Sequence, residues 1–134
     1  MLSLFRWFAL FLCVGTGWGI FLANQGDILT VRQFSKHVPG GDAGLHIFVM
    51  GTLTLVLGVA FSRARLFGFR LGFSGVVGLM LLFATLEEWQ QRFQPFRRFS
   101  LRDLFFSYLG IALAVGVWTV GRRLLRYFQP SDRE

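Results

Sequence analysis

The chain is poor in the residues from which most catalytic and metal motifs are built. It has one cysteine, Cys13, and two histidines, His37 and His46, in 134 residues. A lone cysteine inside an apolar run excludes a disulfide framework and a thiolate metal site. Neither histidine has a partner at metal-ligand spacing, so the expectation is no metal and no cofactor. A serine elbow, a P-loop and a glycine-rich nucleotide turn are all absent. Charge is scarce too: Asp, Glu, Lys and Arg make up 16%, with 7 acids against 14 bases. The net charge of +7 would suit a nucleic-acid partner. The arginines, however, stand in short clusters between long apolar runs, the pattern of a membrane margin rather than a basic groove, which excludes nucleic acid.

What the chain has in abundance is apolar surface. Hydrophobic residues are 54% of the total, with 17 Phe and 4 Trp. A soluble domain of this size has too much surface to keep wet for that balance. Residues 1–134 therefore read as a single all-α integral membrane domain. Its form is a bundle of four transmembrane helices, arranged as two hairpins and in contact with membrane lipids. About 20 apolar residues cross the hydrocarbon core, and the runs near 2–23, 44–61, 71–89 and 104–120 qualify. Phe21-Leu22-Ala23 puts a bulky residue two before the alanine, so the first run reads as a retained helix rather than a signal peptide.

Small residues suggest where helices meet. Gly15 and Gly19 form a GxxxG pair suited to close approach of another helix, including one from a second copy. Ser74 with Gly78 offers the same spacing, and Ser107, Gly110 and Ala114 are spaced for helix contact. Four spans place both termini on the side of residues 62–70. That side has eight Lys and Arg against six on the other, which favours cytoplasmic termini. Mid-span polar residues are hydroxyls such as Thr52, Thr54 and Ser74. No ionisable relay of the kind a proton-linked transporter needs crosses the membrane.

The unusual polar residues converge on one face. In a four-span chain, the start of the second helix and the end of the third meet the same leaflet. Asp42 follows Val38-Pro39-Gly40-Gly41 and is placed to cap the second helix. His46, four residues on, can meet it on one helical face. Glu88 and Gln91 share a face at the end of the third helix, and Glu87 with Gln90 repeats the spacing on the adjacent face. Spacing does not choose between the two pairs. Pro95 ends the helix. Phe93, Phe96 and Phe99 then alternate with Arg92, Arg97, Arg98 and Arg102, a pattern suited to the headgroup zone. Ser100 precedes Asp103 by three, a capping-box-like spacing that would start the fourth helix.

These residues resemble the VanZ-like family of small bacterial membrane proteins. The resemblance lies in Asp42-Ala43-Gly44-Leu45-His46, then Glu88, Gln91, Phe93, Pro95, Arg97, Ser100, Asp103, Ser107 and Gly110 at their present spacing. It covers about residues 38–114. The family pattern implies Glu88 and Gln91 rather than Glu87 and Gln90, and Arg97 rather than Arg98. Ala43 stands where the family usually has Lys, Met50 where Tyr is common, and Ser107 where Asn is usual. The family takes its name from glycopeptide (teicoplanin) resistance, so the resemblance implies an envelope role in the bacterial inner membrane, at its outer leaflet.

Two functions fit this pattern. In the first, the protein binds or processes an anionic lipid or cell-wall precursor headgroup. Arg97 holds the anion in a planar fork. Glu88, Gln91 and His46 orient it, and Asp42, Asp103 and Ser107 brace the site. In the second, the protein is a non-enzymatic scaffold or accessory subunit, and the same residues form an internal polar network.

Overall fold

The computed structural model describes residues 2–26, 33, 36–61, 63–66 and 68–128. Asp27 and Arg32 of the first connection, and the tail from Gln129 onward that the sequence reads as frayed, lie outside the described residues. Among the described residues four long helices follow one another: α1 (Leu2–Asn24), α2 (Gly41–Phe61), α3 (Gly72–Gln90) and α4 (Leu101–Phe128). All four are long and apolar enough to cross a membrane. The chain is an all-α, multi-pass membrane protein.

Two helix limits differ from expectation. α2 begins at Gly41, so Asp42 sits in its first turn and is not the cap. Gly40 and Gly41 adopt positive φ of 84° and 62°, a left-handed geometry that costs glycine nothing. Backbone bonds from Gly41 to Val38 and from Gly44 to Gly40 then close the entry turn. α4 continues past Val120 to Phe128, because Gly121 alone costs a helix only about 1 kcal/mol. At 1.5 Å per residue it is about 42 Å long, more than the ~30 Å hydrocarbon core. Arg122, Arg123 and Arg126 therefore lie on helical turns beyond that core. Between α2 and α3, Arg65–Leu66 (β1) pairs antiparallel with Phe69–Arg70 (β2).

α2 is central and packs most closely on α4. Lipid is as apolar as leucine, so hydrophobicity does not drive helices together in a bilayer; close packing does. The contact is accordingly made by small residues. A Cβ on Gly51 would lie 3.1 Å from the Gly110 carbonyl oxygen, and one on Gly110 would collide with the Ile47 backbone. Ser107, Gly110 and Ala114 are all buried along this seam. Met50, Leu53, Val76, Met80, Ala84 and Ile111 form the core of α2, α3 and α4. Thr54 is fully buried, and its hydroxyl donates to the Met50 carbonyl at 2.7 Å.

The other two small-residue pairs behave differently. Ser74 and Gly78 are exposed, and α3 buries Val76, Met80 and Ala84 instead. Nothing among the described residues lies within 4 Å of a Cβ built on Gly15 or Gly19, so no described helix approaches them. The reason is that a cavity separates them from α2. α1 leans on α2 with Leu12 against the core, while Trp7, Val14 and Trp18 are exposed on its outer side. Cys13 is exposed on the same helix.

Candidate functional site

The end of α3 gathers the acids. α3 tightens into a 3-10 turn at Gln91–Phe93, and Gln94 is extended with φ −98° and ψ 130°. Pro95 keeps the chain out of helix, so residues 97–100 return across the end of α3. Glu88 is 1% exposed and Glu87 9%. Burial of carboxylates at this depth requires hydrogen-bond partners, and each has them. Glu88 Oε1 accepts the Ser100 backbone N–H at 2.6 Å, and Oε2 accepts the Gln91 amide at 3.2 Å. Glu87 Oε1 accepts the same Gln91 amide at 3.0 Å and Arg97 Nη1 at 2.8 Å.

Ser100 caps α4, its hydroxyl accepting the Asp103 N–H at 3.2 Å. In a capping box the third helical residue would reach back to the Ser100 N–H. Here Glu88 of α3 takes that donor, which leaves the Asp103 carboxylate available to α2.

This geometry corrects the expected register. Glu87, not Glu88, forms the ion pair with Arg97 and lines the cavity described below. Successive helical residues are about 100° apart, so only one of the two can face the returning Ser100 while the other faces α2. Gln90 and Arg98 are exposed. The sequence does carry the missing signal. Gln91 stands four after Glu87 and three after Glu88, and an amide NH2 has two donors. One Gln91 side chain therefore serves both carboxylates.

Asp42 and His46 do come together, but the hydrogen bond of the imidazole goes elsewhere. His46 Nδ1 bonds Ser107 Oγ at 3.1 Å across the α2–α4 seam. Asp42, His46 and Asp103 nevertheless place one ligand atom each within 4.8 Å of one another. One imidazole and two carboxylates can hold a divalent cation. Spacing along the chain gave no such set, because Asp103 arrives from another helix.

A cavity of about 440 Å³ lies between α1 and α2, next to this cluster. Its walls are apolar, formed by residues such as Phe11, Leu12, Val49 and Met50, with Gly15 and Gly19 opening the α1 side. Asp42, His46, Glu87 and Arg97 form its polar end. Of the candidate residues, Arg97, His46 and Asp42 thus line the cavity, whereas Glu88, Gln91 and Ser107 are buried behind it. The α1 residues are a contribution the sequence did not suggest, since their small size read as a helix contact. Arg97 has five N–H donors, and Glu87 is its sole partner among the described residues.

No protein-family model, curated protein or solved structure matches the chain.

Proposed function

We propose that the protein is a VanZ-like component of the bacterial inner membrane, with cytoplasmic termini, that binds an anionic lipid or cell-wall precursor headgroup at the outer leaflet. Such an activity would suit a role of the glycopeptide-resistance type. The observation that carries the reading is the cavity itself, apolar along its length and ending at Arg97. An alkyl chain fits against Phe11, Leu12, Val49 and Met50, and Gly15 and Gly19 make room for it rather than for a second copy. The oxyanion takes the guanidinium donors that Glu87 leaves open. Because Glu87 and Asp42 stand beside it, the favoured headgroup carries hydroxyl or amine donors as well as its negative charge.

Native mass spectrometry of the purified protein with added phospholipids tests this. Arg97→Ala is expected to lower phosphate-lipid affinity about 10- to 100-fold, the equivalent of one charged hydrogen bond. Arg97→Lys should lose most of it as well, since an ammonium lacks the planar fork. Equal binding by wild type and Arg97→Ala would sink the proposal.

The scaffold reading draws on one specific observation: both oxygens of Glu88 are used internally. It predicts that Arg97→Lys, Glu88→Gln and His46→Ala lower the melting temperature together, with lipid binding unchanged.

A further inference from the structure

The opposite end of the bundle carries positive charge that no acid among the described residues balances. Residues 43–86 and 104–128 contain no Asp or Glu. Arg63, Arg65, Arg70, Arg122, Arg123 and Arg126 all stand at that end, in the connection between α2 and α3 or in the last turns of α4. The β1–β2 ladder sets Arg65 directly opposite Arg70, and like charges across a ladder are destabilising. The described residues offer no acid there to relieve them.

Three of these arginines meet at one place. Arg63 follows α2, Arg70 ends β2 and Arg122 lies on α4, and all three line a groove of about 720 Å³. The groove floor is Phe73 stacked on Trp118, with ring centroids 4.5 Å apart and planes within 4°. Gly58 permits this, since a Cβ there would collide with the Phe73 ring. The Arg122 guanidinium lies 5.8 Å from the Trp118 centroid. The remaining wall is apolar, and Val59, Val117 and Leu125 carry it out to the lipid-facing surface.

We propose that this groove binds an anionic phospholipid from the leaflet on the side of the termini. Its phosphate sits among Arg63, Arg70 and Arg122, and an acyl chain runs along Val59 and Val117. Charge selects the headgroup, because three arginines with no acid beside them among the described residues attract an anionic lipid at the membrane surface. The apolar wall selects a lipid over a free phosphate, which would leave that wall without a partner. The site is independent of the headgroup site proposed at the other face.

The test is native mass spectrometry of the full chain, titrated with phosphatidylglycerol and with phosphatidylcholine of the same acyl chains. Wild type is expected to prefer phosphatidylglycerol by about tenfold or more. Each basic residue near an anionic surface is worth about fivefold. A variant combining Arg63→Gln, Arg70→Gln and Arg122→Gln should therefore lose on the order of a hundredfold in phosphatidylglycerol affinity and retain no preference. Arg123→Gln with Arg126→Gln, on the same helix but outside the groove, should change affinity by less than about threefold. An unchanged preference in the triple variant, or an equal loss in the double variant, would overturn the proposal. If the triple variant does not stay folded, Arg122→Gln alone is read instead. A loss of about fivefold supports the site, and no loss refutes it.

Discussion

Glu88→Ala is expected to lower the unfolding free energy by about 3 kcal/mol. Glu88 is 1% exposed and joins the end of α3 to the start of α4. One oxygen takes the backbone N–H of Ser100 at the start of α4, and the other takes Gln91 at the end of α3. Truncation leaves the part-buried Ser100 N–H and one of the two N–H groups of the buried Gln91 amide unpaired, each costing about 1–3 kcal/mol, and also removes the link that substitutes for the missing half of the α4 capping box. Glu88→Gln keeps a carbonyl oxygen for Ser100 and gives up the charge, so its cost should be smaller, about 1–2 kcal/mol. Denaturant or thermal unfolding in detergent micelles measures both. A Glu88→Ala protein as stable as wild type would show that Ser100 finds another acceptor and that Glu88 holds nothing together.

The second large effect belongs to the α2–α4 seam. Gly110→Ala places a methyl group against the Ile47 backbone, and backbone cannot rotate out of the way as a side chain can. Overpacking a tight core costs about 1–3 kcal/mol, and here the helices themselves must separate, so a loss of about 3 kcal/mol is expected. Gly116 lies on the same helix with nothing within 4 Å of a built Cβ. Gly116→Ala should therefore be neutral or stabilising by up to about 1 kcal/mol, through helix propensity alone. The comparison isolates packing from propensity, and equal unfolding midpoints for the two variants would refute the seam. The consequence reaches the site: Ser107 is one turn from Gly110 and holds His46 at 3.1 Å. Separation of the helices would free the imidazole before the bundle unfolds.

The coarse arrangement was legible in the chain. Runs of about 20 apolar residues, Pro39 with Gly40 and Gly41, and Pro95 mark the spans and their connections, because hydrophobic length and turn chemistry are local properties. Ser100 as the cap of α4, and the burial of Ser107, Gly110 and Ala114, could be read in the same way. The end of α4 could not, since only the absence of a breaker before Pro130 carries the helix through its arginines.

What the chain could not state is how far each helix turns about its own axis. Glu87 and Glu88 each have a glutamine three residues on, and their different fates follow from where Ser100 returns and where α2 lies. The grouping of Asp42, His46 and Asp103, and of Arg63, Arg70 and Arg122, depends on the same rotations. In water a polar face would orient a helix; in lipid, where the outward and inward faces are equally apolar, that signal disappears. The sequence by itself determined four spans with their unusual polar residues at one end and an excess of arginines at the other. Which side chains meet was decided by close backbone contact between Gly51 and Gly110, and by a carboxylate of α3 capping α4, both of which exist only once the helices have packed.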